Sequence, residues 1–282
     1  MKQVELKQEF MKPPLFYRGT ELWMLNDRLA DDEIRRQIKE MSEKGFYSFI
    51  ARTYVGLKSD YPGPQFMKRM QTIIEAACEY GMKVFIQAGY MPGAVPGLPE
   101  KFALKRINAY HSTDENQDGE MICCHDEISY RIGSTKTILD MLNPAAMRFY
   151  MKQSYEDMWK QFQEAFGKTI VSVWVDEPHY EKGSLPWSDV LPQRFREKWK
   201  YDIQNKVYLL YIDKDDCETV RYHYWQTILE LMKEAYFTEV RDWCHRHNLL
   251  FSGHLMAEDT LEAQITETCI YASVHPGVSI SL

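Results

Sequence analysis

The chain has 282 residues, 45% of them hydrophobic and 13% aromatic, which is enough for a sizeable core near the usual length of one large α/β domain and too apolar for disorder. A formal charge of −7 and a pI near 5.7, with lysines and arginines scattered among acids, leave no basic stripe for a nucleic-acid backbone. The six cysteines follow no zinc-ligand spacing, and no run approaches the roughly 20 apolar residues of a membrane span, so neither a zinc module nor a membrane partner is expected.

Residues 1–14, MKQVELKQEFMKPP, lack the apolar core of a signal peptide, so a cytoplasmic chain with reduced thiols is expected. Their mixed charge and closing Pro13-Pro14 read as an N-terminal arm, with one domain over 15–282. From there, aromatic and β-branched runs alternate with stretches of helical period, the pattern of βα units around a mainly parallel sheet. The first strand falls in 16–25 and is followed by a helix capped at Asp31 or Asp32 and stopped by Gly45. The second strand falls in 46–57, with a helix from about Pro64 to Tyr80. The third strand, 82–90, leads into an excursion reaching Asp140, in which GEMICCHDEISYRIG alternates like a hairpin. Asn143-Pro144 supplies a cap and a first-turn proline for a helix to Phe166. The fourth strand, IVSVWVDEPHY, opens a second excursion, 179–220. A helix over 221–247, a fifth strand over 249–256, a short helix TLEAQITET and a final VSISL complete the chain. A closed (β/α)8 barrel takes about 250 residues when its loops are short. With two long insertions, after strands 3 and 4, only five or six units fit, so an incomplete TIM-type (β/α)8 barrel is the expected fold.

In a parallel α/β sheet the loops at the carboxyl ends of the strands build the site. The polar residues at those tips are Glu21 and Asn26, Arg52 and Tyr54, Gln87 and Tyr90, Asp176, Glu177 and His179, then His254, Glu258 and Asp259. Glu177 leads them. A carboxyl set against Trp174 and Pro178 would lose hydration, rise in pKa and stay protonated to serve a leaving oxygen. Asp176 would bind a substrate hydroxyl or a cation. The plainer alternative has both acids capping the next segment or pairing with Arg52, and neutralising Asp176 is the more economical use of a buried guanidinium. His179 and His254 suit hydrogen bonds to a substrate hydroxyl, although such histidines are more often satisfied polar residues than ligands. Aromatic rings near the tips, Trp23 among them, could stack on the apolar face of a substrate, although most barrel aromatics are core. Dinucleotide, P-loop and nucleophile-elbow motifs are absent, and ENQDGE lacks the ligand spacing of an EF-hand loop.

The opening FYRGTELWMLNDRL, GMKVFIQAGYMPGAVPGLPE, VDEPHY and the long segment from RYHYWQTILEL to FSGHLMAED together resemble the barrel of large glycoside hydrolases related to the rhamnosidase-like families. That resemblance implies a (β/α)8 domain cleaving a terminal sugar with two carboxylates, with Glu177 as general acid. It implies a carbohydrate substrate, and by their place at or near the strand tips Asp176, His179, His254, Arg52, Tyr90, Gln87 and Trp23 are the residues expected to bind it. Calcium is the one ion that it adds to a site otherwise expected to need no cofactor. The second carboxylate lies well downstream of the acid in such enzymes, and Glu258 is the acid positioned to substitute as base, although capping the helix at Thr260 is its plainer role. Two rival readings follow from a missing partner: a non-catalytic carbohydrate-binding protein, and a truncated structural fragment that self-associates through an open sheet edge.

Overall fold

The computed structural model describes residues 3–61, 63–87, 95, 97–180 and 185–254. The N-terminal segment, expected as an arm, contains a short helix, α1 (Gln3–Met11), followed by a single 3-10 turn at Leu15–Tyr17. Then come β1 (Thr20–Leu25), α2 (Asp31–Glu43), β2 (Ser48–Thr53), α3 (Pro64–Glu79) and β3 (Lys83–Ile86). The acids of α2 fill its first turn, where the helix dipole favours them, and Ile34 and Ile38 supply the buried face. Asp31 does not cap this helix. Its carboxylate accepts from Arg69 (2.6 Å) and Thr72 (2.9 Å) on α3, so tertiary docking of the two helices takes the group that local chemistry would have spent on the helix end.

The first insertion folds as β4 (Ala103–His111), β5 (Glu120–His125) and β6 (Ile128–Leu139), the last two forming the hairpin read from the sequence. α4 (Pro144–Phe162) starts as expected, with Asn143 accepting from the Ala145 N–H at 2.9 Å and proline in the first turn. It leads to β7 (Ile170–Asp176), the strand that ends in the two acids. The second insertion holds β8 (Leu185–Trp187), α5 (Leu191–Trp199) and a 3-10 stretch, Ile203–Leu210. A long helix follows in three parts: α6 (Cys217–Met232), a π turn (Lys233–Thr238) and α7 (Glu239–Arg246). β9 (Leu250–His254) closes the described chain. The expected final helix and sixth strand lie outside the described residues.

The main sheet has five parallel strands in the order β1-β2-β3-β7-β9, so spatial order follows chain order. Side chains alternate across it. Leu25, Phe49, Ala51, Val84, Ile86, Val173 and Phe251 join the helix residues Ile34, Ile38, Met70, Ile73 and Tyr155 in one core. The opposite face is partly polar. Hydroxyl pairs sit low on it, Thr20 with Ser48 (2.6 Å) and Ser172 with Ser252 (3.0 Å), and charged groups crown the carboxyl ends. β7 and β9 approach so closely that a Cβ at Gly253, whose φ is +148°, would lie 2.2 Å from the Val175 carbonyl oxygen, so glycine is required there. The fold is mixed α/β around a parallel sheet, and no closed sheet occurs among the described residues.

A second, antiparallel sheet of order β5-β6-β4-β8 unites the two insertions, because β4 pairs with β6 on one side and β8 on the other. The junction is fastened by Lys105 to Asp189 (2.6 Å), by Tyr211 to the Ile107 carbonyl (2.8 Å), and by the buried Ser188 hydroxyl donating to Asp140 (2.6 Å).

Candidate functional site

The constellation at the carboxyl ends of β2, β7 and β9 follows from strand register. Asp176 pairs directly with His254 along the parallel ladder, and Arg52 occupies the last polar-face position of β2, with Met24 its partner on β1. The Asp176 side chain is 1% exposed and both its oxygens take a donor: Arg52 Nη2 bonds Oδ2, while His254 Nε2 lies 3.1 Å from Oδ1. A buried carboxylate without partners would be strongly destabilising, and here a guanidinium and an imidazole supply them. The guanidinium is walled by two rings, its Cζ 5.2 Å from the centre of Tyr54 and 5.7 Å from that of Trp174. His254 stacks on the same indole at 5.4 Å with ring planes 25° apart.

Glu177 continues the ladder one residue past β7, its N–H donating to the His254 carbonyl at 3.2 Å. It does so at φ 45°, in the left-handed region that a non-glycine residue enters only at a cost. Its carbonyl faces His179 Nδ1 at 2.5 Å. The turn brings the half-buried Glu177 carboxylate back over the sheet, where one donor atom each from Asp176, Glu177 and His254 lie within 4.8 Å of one another. Among the described residues no donor is bonded to the Glu177 carboxylate. It is therefore the uncommitted acid of the cluster, whereas Asp176 is fully committed.

Four of the expected site residues, Arg52, Asp176, Glu177 and His254, meet here, with His179 against the Glu177 backbone. Gln87, just past β3, is buried; it accepts from Thr53 Oγ1 (3.4 Å), and its carbonyl accepts from the Tyr61 hydroxyl (3.0 Å). Trp23 corrects the expectation of a sugar platform. Its indole N–H donates to Gln37 of α2 at 2.7 Å and its ring meets Phe49 edge-on at 5.3 Å, because position 23 falls on the helix-facing side of β1. Tyr90, Glu258 and Asp259 lie outside the described residues. Sequence reading did not anticipate the strained turn at Glu177, since nothing in its residue type asks for positive φ. Nor did it anticipate that Tyr54 and Trp174 would enclose the guanidinium.

Calcium is the ion that the resemblance implies. It takes six to eight oxygens at about 2.3–2.6 Å. Among the described residues the cluster offers one uncommitted carboxylate, one carboxylate held by Arg52 and an imidazole nitrogen, with a fixed positive charge alongside. These residues do not fit calcium.

Glycoside cleavage sets a second measure, two carboxyls about 5 Å apart for retention or roughly 6.5–9.5 Å apart for inversion. Asp176 and Glu177 present oxygens within 4.8 Å of each other, near the retaining spacing, yet Asp176 is engaged and shielded from solvent. What the arrangement offers chemically is one available carboxyl, an imidazole at its side, and an aromatic-lined cationic floor.

No family model and no curated protein sequence matches the chain. Among solved structures it is similar to a rhamnosidase from Novosphingobium sp. PP1Y, with a TM-score of 0.65 and 10% sequence identity over 89% of this chain and 47% of that one. The chain thus spans about half the length of that structure, and at this identity the likeness is one of fold: a distant structural relationship to a glycoside hydrolase.

Proposed function

We propose that the chain is the larger part of a (β/α)8 barrel of glycoside hydrolase type, acting on a terminal sugar with Glu177 as the general acid. The observation that carries this reading is the uncommitted Glu177 carboxyl, turned by a strained residue over the polar face at the carboxyl end of β7. Strand order that follows chain order, with helices on one face, supports continuation into a closed barrel. The fold of the rhamnosidase supports the reaction class. Glu177 would protonate the departing glycosidic oxygen while His254 and His179 meet sugar hydroxyls beside it. The base would come from another loop, with Glu258 as the candidate in this sequence, because Asp176 is occupied. Glu177→Gln keeps the side-chain shape and removes the acid. Its expected result is an unchanged circular dichroism spectrum with loss of hydrolysis of unactivated glycosides, and retained turnover would remove Glu177 from the role.

One observation favours a second reading, a protein that holds a sugar without cleaving it: the described cluster contains a single available carboxyl. Calorimetry with simple monosaccharides, run beside release of an aryl leaving group, separates the two. Binding without release supports the second.

A further inference from the structure

We infer that Arg52 takes the part of a resident cation at this site: its guanidinium holds Asp176 Oδ2, one of the donors that a divalent ion bound with Glu177 and His254 would need, so the site is built to be independent of calcium and conceals a latent site for a borderline ion such as zinc. Three observations carry it.

The first is compactness. Donor atoms within 4.8 Å of one another are near the separation of ligands on one ion, since bonds of about 2.0–2.2 Å put donors roughly 3–4 Å apart. The second is occupancy. Arg52 holds Asp176 Oδ2 and is itself only 17% exposed, with its guanidinium over the rings of Tyr54 and Trp174, so its charge stays close to the carboxylate that a metal would need. The third is incomplete satisfaction. Among the described residues Arg52 Nε is buried with no hydrogen-bond partner, and Nη1 meets the Met24 sulfur at 3.7 Å. A guanidinium placed for its hydrogen bonds would use that fork. Here it acts mainly as a charge, which is what a bound ion supplies. With Arg52 removed, two carboxylates and an imidazole remain, a donor set that suits zinc far better than calcium.

The inference concerns ion binding at the cluster and stands apart from whether the chain hydrolyses a glycoside. Its test reads melting temperature and binding heat, so failure of the Glu177→Gln activity assay bears on the proposed function alone. The whole chain is titrated with calcium chloride and with zinc chloride, before and after chelator treatment, as wild type, Arg52→Met and Arg52→Met/Glu177→Gln. The wild type is expected to show no shift in melting temperature with chelator or calcium. Arg52→Met, which leaves Asp176 without its charge partner, should melt lower and recover through a saturable upward shift on zinc addition. The double variant should lose that recovery. Stoichiometric calcium binding by the wild type, or a chelator-induced drop that calcium restores, overturns the inference. A folded Arg52→Met that gains no zinc affinity overturns it as well. Should Arg52→Met fail to fold, the wild-type titration decides alone.

Discussion

Glu177 combines the carboxyl proposed as general acid with a backbone conformation that its residue type disfavours, and the two roles can be separated. At φ 45° a side chain carries a steric cost that glycine does not. Glu177→Gly is therefore expected to exceed Glu177→Ala in stability by about 1 kcal/mol, read as a difference in urea unfolding midpoints, with both variants losing hydrolysis. Equal stabilities would mean that the turn is not strained. The expectation that Asp176 and Arg52 would neutralise each other was legible because both stand at strand tips with few other uses for their charge. Trp23 was misjudged for a related reason. Whether a strand residue faces helices or the open face depends on register, and one position changes it.

Elements were legible where local chemistry decides them. The cap and proline that start α4, the hairpin of β5 and β6, and the apolar run of β7 all follow from short-range pattern. The joining of β4 to β8 was not legible, because the two strands belong to different insertions and pair only through the three-dimensional path of the chain. That junction contains Asp140, whose carboxyl burial pushes up to about 7, against the opposing hydrogen bonds from Ser188 and the Leu142 N–H. An unfolded aspartate titrates near 4. Between about pH 4 and 7 the folded chain thus binds a proton that the unfolded chain has released. The Asp140 contribution to stability accordingly falls as pH rises through this window and is at its least favourable above 7. Measured as the difference in unfolding free energy between pH 5 and pH 8, wild type should lose more than Asp140→Asn, which keeps an acceptor for Ser188. Identical pH profiles would refute the assignment.

At the scale of the molecule, the alternation of strands and helices and the two long insertions were legible from pattern and length: five parallel strands stand among the described residues, where five or six were expected, while the expected sixth lies outside them. The β1 edge is unpaired among the described residues, and Leu22, on the face away from the helices, is 38% exposed. Open edges beside exposed apolar side chains recruit other strands. This chain is expected to associate in a concentration-dependent way in sedimentation velocity, and Leu22→Lys should weaken that association by placing a charge at the edge. A monodisperse monomer over the same concentration range would show the edge to be covered.

The antiparallel lobe also constrains the order in which the polypeptide can mature. β4 is complete once residue 111 is made, but its second neighbour, Leu185–Trp187, is more than seventy residues away. During synthesis from the ribosome, the β5-β6-β4 ribbon must therefore wait, with one flank bare, until β8 has been made. Slowing translation between those two segments would prolong the interval in which a nascent chain is most exposed to chaperones and to its own neighbours.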